Sequence, residues 1–144
     1  MFIRAIHTER VVDAPPEAVW AVLTDLPSYG AWNPQVTAAT GALEAGASVD
    51  LTLSYRGRER SLTARVTDVV PERRLQWVGT VADGWLFEGW HTFELHPLDD
   101  GRTRFVNRER VSGLLAPLVV RGDAAAGYEA MNRALAERVE RADG

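Results

Sequence analysis

Two periods organise the hydrophobic positions along this chain. Met1 to Val12 mixes β-branched and polar residues without a helical period, which predicts a strand. In Asp13-Ala-Pro-Pro-Glu, proline suits a first helical turn, where its missing N–H is not needed, and Glu17 suits the positive end of the helix dipole. Val19, Trp20, Val22 and Leu23 then form an apolar stripe, so Pro15 to Asp25 reads as a short amphipathic helix. Pro27 to Pro34 predicts a second short helix or turn. From Gln35 to about Ser112 the period falls to two: Val49, Leu51, Leu53 and Tyr55 alternate with Asp50, Thr52 and Ser54. Turns are expected at Arg56-Gly-Arg-Glu, Pro71-Glu-Arg, Ala82-Asp-Gly and Asp99-Asp-Gly. Beyond Gly113 the period returns to 3.6. Tyr128, Met131, Leu135 and Val139 share one helix face, with Pro117 expected near the start of that helix.

Strand, two short helices, a run of antiparallel strands and one long terminal helix bury both apolar faces if a curved meander wraps the helix. That α+β arrangement leaves room for a small-ligand cavity between sheet and helix. No internal repeat, low-complexity segment or linker interrupts the order. A length of 144 residues fits one domain, 1–144, and permits a sizeable core.

Composition removes whole classes of chemistry. There is no cysteine, hence no disulfide, thiolate metal site or cysteine nucleophile. All sixteen basic residues are arginine, so a Schiff-base lysine and a P-loop lysine are absent too. A formal charge of −4 argues against nucleic acid as partner. The longest apolar run, Gly113 to Val120, is far short of the ~20 residues that cross a bilayer, so membrane insertion is not expected. Arg4, His7, Glu9 and Arg10 leave no signal-peptide core in the first ten residues, and a cytoplasmic location is the expectation.

The residues also carry a family likeness. Val12-Asp-Ala-Pro-Pro-Glu-Ala-Val-Trp, Leu23-Thr-Asp, Tyr29 and Trp32-Asn-Pro resemble the opening of the SRPBCC (START-like, birch-pollen-allergen-like) superfamily. Arg74-Leu-Gln-Trp, Phe87-Glu-Gly-Trp-His-Thr-Phe-Glu-Leu, Gly101-Arg-Thr-Arg and Glu109-Arg-Val-Ser-Gly-Leu-Leu continue it over nearly the whole chain, closest to its polyketide cyclase/dehydrase branch. The resemblance implies a helix-grip fold with a deep, mostly apolar cavity. It does not fix the chemistry, because one fold of this kind hosts lipid carriers, hormone receptors, cyclases, co-chaperones and hydroxylase subunits.

Among the polar residues, His91 and Glu109 form the most informative pair. If Asp99-Asp-Gly sets an antiparallel hairpin, positions summing to about 200 lie opposite one another, and Leu95–Phe105, Phe93–Asn107 and His91–Glu109 share the inward face. The pair reads either as a general acid/base dyad or as a buried polar couple that satisfies itself and shapes the pocket. Arg10 has the parity of Val12. It is read as an inward guanidinium for a carboxylate, phosphate or enolate, or as a solvated strand end. Trp32, Tyr55, Trp77, Phe87, Phe93, Tyr128 and Met131 are candidate cavity-lining residues, each of which also reads as ordinary core. Asn33 reads as a turn cap, and Trp85 and Trp90 fall on opposite parities. His91 and His96 also have opposite parity, so no metal site is expected, and with no G-x-G-x-x-G in the chain no cofactor is expected either. Glu88 and Glu94 take the outward parity, where they can pair with the arginines of the strand from Arg102 to Arg110.

Three functions follow as expectations. The first is binding of a small hydrophobic molecule such as a lipid, polyketide or aromatic metabolite, with His91, Glu109 and Arg10 orienting its polar end. The second is a polyketide cyclase/aromatase in which His91 and Glu109 move protons and Arg10 or Tyr55 steadies an enolate. The third is a co-chaperone-type interaction domain using exposed tryptophan and the Arg56–Arg60 tip. A homodimer is compatible with all three.

Overall fold

A computed structural model describes residues 3–143, so the first two residues of the expected first strand lie outside it. Seven strands form one antiparallel sheet: β1 (Ile3–Val12), β2 (Val36–Gly41), β3 (Ser48–Tyr55), β4 (Arg58–Val70), β5 (Arg74–Val81), β6 (Phe87–Pro97) and β7 (Thr103–Ser112). Their order is β1-β7-β6-β5-β4-β3-β2, so the first strand crosses to the far side and pairs with the last. Between β1 and β2 lie α1 (Pro16–Leu23), a 3₁₀ turn over Leu26–Ser28 and α2 (Tyr29–Trp32). After β7 come α3 (Ala116–Val119) and the long α4 (Ala124–Asp143). This is the helix-grip arrangement, a curved sheet closed around α4.

Local chemistry explains the elements. Pro16 opens α1 with Glu17 in its first turn, and Asn33 Oδ1 accepts from the backbone N–H groups of Gln35 and Val36 at 2.9 Å each, leading the chain from α2 into β2. Register shifts between Val36 and Ala38 in β2 and between Val66 and Asp68 in β4 mark β-bulges, which bend strands and increase their twist. The curvature lets the sheet wrap the helix. The core between the two layers includes Val12, Val19, Leu23, Tyr29, Val49, Val66, Leu75, Phe93, Phe105, Leu135 and Val139.

The C-terminal region departs from the single helix expected around Pro117. Pro117 sits in the separate four-residue α3, and α4 begins seven residues later. Val120 takes an extended conformation (φ −106°, ψ 95°) and Gly122 a left-handed one (φ +55°), so the backbone cannot run helically from one segment into the next. The break matters for the site, because it places the loop between α3 and α4 over one end of the sheet–helix interior. No helix among the described residues is long and apolar enough to cross a membrane.

Candidate functional site

The hairpin between β6 and β7 brings the polar residues together. Its register sets His91 opposite Glu109, Phe93 opposite Asn107 and Leu95 opposite Phe105, and these side chains turn toward α4. His91 stacks on Phe93 with ring centroids 4.3 Å apart, and Trp77 of β5 meets it edge-on at 6.0 Å. Apolar rings therefore hold the imidazole on two sides. Its Nδ1 lies 3.9 Å from Glu109 Oε1, and the two side chains are 8% and 16% exposed, well screened from bulk water.

Behind His91 runs a buried hydrogen-bond chain whose polarity can be read from its far end. The Asn107 backbone carbonyl can only accept, so the Thr8 hydroxyl donates to it at 2.9 Å. Thr8 Oγ1 then accepts from Asn132 Nδ2, Asn132 Oδ1 accepts from Asn107 Nδ2, each at 2.8 Å, and Asn107 Oδ1 accepts from His91 Nε2 at 2.7 Å. Thr8, His91, Asn107 and Asn132 are all buried. The proton of a neutral His91 is thereby assigned to Nε2, leaving the Nδ1 lone pair facing Glu109. Tyr128 of α4 donates its hydroxyl to Glu109 Oε1. With that donor engaged, Glu109 Oε2 and His91 Nδ1 present acceptors. Gly89 makes room for the carboxylate: a Cβ there would sit 3.1 Å from Glu109 Oε2 and 3.1 Å from the Phe87 ring.

These acceptors open on a cavity of about 370 Å³ between the sheet and α4. At ~30 Å³ per water, that is room for roughly a dozen waters, within the usual range for ligand sites. Val36, Leu51, Leu53, Leu62, Trp77 and Phe87 supply apolar wall. Tyr55, Arg56, Val119 and Asp123 form the rim. There Arg56 Nε donates to Tyr55 Oη at 3.0 Å, Tyr55 donates to the Val119 carbonyl at 3.3 Å, and Arg56 pairs with Asp123 at 3.2 Å. All of these rim contacts are exposed and individually weak. A larger depression of about 670 Å³ crosses the outer face of the sheet past Trp90 and Arg110, but it is an open, mixed polar surface.

Of the residues singled out from the sequence, the structure brings Tyr55, Trp77, Phe87, His91, Glu109 and Tyr128 to the cavity wall. Four lie elsewhere. Of the two readings of Arg10, the inward guanidinium is not the one found: the residue is exposed, in a surface groove with Glu129 and Arg133 on the edge strand β1. Trp32 packs edge-on to Tyr29 at 5.3 Å, against the core. Phe93 is fully buried behind His91, and Met131, also fully buried, receives an Asn107 Nδ2 contact at 3.5 Å. Trp85 is 59% exposed, whereas Trp90 is half-buried on the outer face and donates to Glu88. Glu94 pairs with Arg108 at 2.7 Å and Arg74 at 3.4 Å on the outer face. Asn132, Thr8 and Gln35 escaped the sequence reading: the first two sit on different elements from His91, and nothing in the alternation around Gln35 distinguishes it. Among the described residues, no group of three or more His, Asp or Glu side chains is placed to hold a metal ion.

Two tyrosines are held in the protonated form. Burial, reinforced by the charge of Glu109 and the hydrogen bond to it, pushes the Tyr128 hydroxyl well above its ordinary pKa of 10.0. Burial, with a smaller contribution from Asp25, does the same at Tyr29, whose hydroxyl donates to the Leu23 carbonyl. A folded-state pKa raised above the unfolded value gives stability that is complete below pH 10 and is lost as pH rises above it. Alkaline titration followed by tyrosinate absorbance is expected to show these two residues ionising only with unfolding, and Tyr128→Phe to lose stability less steeply with pH above 10. Ionisation of both before any loss of near-UV circular dichroism would contradict this.

A family model described as polyketide cyclase / dehydrase and lipid transport matches residues 4–141. No curated protein matches the chain significantly by sequence. Among solved structures, the chain is similar to the Zhui aromatase/cyclase from a Streptomyces species, with TM-score 0.72 and 21% identity over 97% of this chain and 95% of that one. It is also similar to a START superfamily protein from Mycobacterium smegmatis, with TM-score 0.75 and 19% identity over 95% and 97%. At these identities the likeness is one of fold.

Proposed function

The chain belongs to the polyketide cyclase/dehydrase and lipid-transport family, and from that membership and its cavity we propose that it holds one small, mostly apolar molecule between the sheet and α4. The observation that carries this reading is the placement of two acceptors, Glu109 Oε2 and His91 Nδ1, at the wall of an otherwise largely apolar cavity. Covering about 200 Å² of apolar ligand surface at ~25 cal/mol per Å² contributes about 5 kcal/mol before the costs of binding. Affinity thus comes from the walls, and the acceptors choose among apolar molecules. A ligand hydroxyl or acidic C–H fits there, and a ligand carboxylate is repelled by Glu109. Trp77, Phe87 and Tyr128 contact the apolar body of the ligand, while Tyr55 covers it at the rim.

The same geometry supports a cyclase reading of the site. In a poly-β-ketone, the C–H between two carbonyls is acidic, and Glu109 or His91 Nδ1 is positioned to accept that proton. The enolate carbon then attacks a second carbonyl and closes the ring, the protonated base returns its proton to the new alkoxide, and loss of water from the resulting alcohol forms a C=C double bond. Tyr128 keeps Glu109 oriented, and the Asn107 chain keeps the His91 lone pair directed to the cavity. Arg10 is outside the cavity and takes no part.

Native mass spectrometry of the purified protein, followed by solvent extraction, is expected to show a mass excess released as a molecule with an apolar body and a hydroxyl or enolisable group. If apo protein is recovered, the neutral probes N-phenylnaphthylamine and unsubstituted stilbene should still quench tryptophan fluorescence, since Trp77 lines the cavity. Absence of any bound mass, together with no fluorescence response to either probe, overturns the binding reading.

A further inference from the structure

On the proposed binding reading, we infer that Gly79 sets the breadth of ligand body this cavity accepts, and that it does so through Leu62. Gly79 lies buried inside β5, two positions after Trp77 and on the same face, and lines the cavity. Glycine weakens a strand interior and often marks a place where another group comes close. Here that group is Leu62 of β4. A Cβ at position 79 would stand 2.6 Å from Leu62 Cδ2, 3.2 Å from its Cγ and 3.3 Å from its Cδ1. The branched end of Leu62 therefore rests on the bare backbone of β5. Leu62 reaches it diagonally, because Gly79 pairs with Ala64 while Leu62 pairs with Leu51 of β3. Leu62 also lines the cavity, so its pose decides how much room is left in front of β4 and β5. Any side chain at position 79 takes that seat. Retreat toward β3 is blocked by Leu51, buried and directly opposite, so the leucine is lifted into the cavity or turned along β4 toward the rim. Both movements narrow the space. Strand β6 repeats the device: Gly89 pairs with Gly79, and a Cβ there would stand 3.1 Å from the Phe87 ring. Leu62 and Phe87, each laid over a glycine, give the sheet wall a low profile at this level, which suits a broad rigid body rather than a narrow rod.

N-phenylnaphthylamine, which carries a fused ring pair, and unsubstituted stilbene, a rod one ring wide, test the inference by tryptophan quenching. Gly79→Ala is expected to weaken N-phenylnaphthylamine about tenfold or more, the usual effect of one carbon in an apolar pocket, and stilbene less than about threefold. Leu62→Ala, at a partly exposed site that tolerates truncation, is expected to shift the preference the other way, toward N-phenylnaphthylamine, by about threefold or more. In the Leu62→Ala background, adding Gly79→Ala should cost less than about twofold, because the group it displaces is gone. A Gly79→Ala loss that is absent, equal for both probes or equal in both backgrounds overturns the inference and leaves the apolar-ligand reading standing. An unchanged preference in Leu62→Ala does the same, and it decides alone if Gly79→Ala loses its near-UV circular dichroism. Wild-type protein that binds neither probe overturns this inference and the reading beneath it.

Discussion

Glu109→Gln is expected to leave the fold in place and to remove most of the function. Glutamine keeps an oxygen that can accept from the Tyr128 hydroxyl, so the contact between β7 and α4 survives. What disappears is the charge and, with it, the capacity to take a proton. If the protein is a cyclase, turnover of a poly-β-ketone should fall roughly 10²–10⁴-fold, the usual contribution of a positioned general acid or base. For a carrier, a hydroxylated ligand loses a charged acceptor worth about 1.5–3 kcal/mol, or roughly 10–150-fold in affinity, with unsubstituted stilbene unaffected. The two outcomes are told apart by offering substrate and following product. In the variant, Tyr128 should also ionise more readily, because one cause of its raised pKa has gone while burial remains. A variant with unchanged turnover and unchanged affinity for hydroxylated ligands would remove Glu109 from the site.

Asn107→Leu is expected to be the most destabilising single change near the site. Asn107 is fully buried and bonds His91, through its Oδ1, and Asn132, through its Nδ2. Leucine leaves His91 Nε2–H and Asn132 Oδ1 buried without partners. At about 1–3 kcal/mol each, the expected loss is about 2–6 kcal/mol. For a chain of this length that lowers Tm by roughly 5–20 °C. Denaturant unfolding of Asn107→Leu, Asn132→Leu and the double variant checks the mechanism. If unpaired groups cause the loss, the double variant costs less than the sum of the singles, because removing Asn132 takes one orphan away. Strict additivity, or a Tm shift of Asn107→Leu below about 2 °C, would show that the buried chain does not contribute in this way.

The sequence made the hairpin between β6 and β7 legible because two independent signals agree there. Asp99-Asp-Gly marks the turn, and alternation of apolar residues on either side sets which positions share a face. Together they predict the pairing of His91 with Glu109 that the register shows. Arg10 shows where the same logic stops. Parity says which face of a strand a residue occupies, but whether that face is covered depends on where α4 crosses it. Thr8 and Arg10 have one parity, yet Thr8 lies buried against Asn132 and Arg10 is exposed. The terminal helix shows a similar boundary, since apolar spacing continues through Gly113 to Val139 and only backbone conformation at Val120 and Gly122 divides it.

By itself the sequence determined the run of antiparallel strands flanked by helices, the shared face of the β6–β7 hairpin and the family. These depend on local periodicity and turn chemistry, which a short window of residues contains. It also excluded thiolate and lysine chemistry, which composition alone decides. Tertiary structure decided the site. Tyr128 reaches Glu109 from a helix nineteen positions further along, Asn132 reaches Thr8 across 124, and Gln35 faces Gly127 with most of the sheet lying between them in the chain. Hydrogen-bond polarity and cavity volume are properties of groups held a few ångströms apart by the packing of distant elements, and no pattern along the chain encodes those distances.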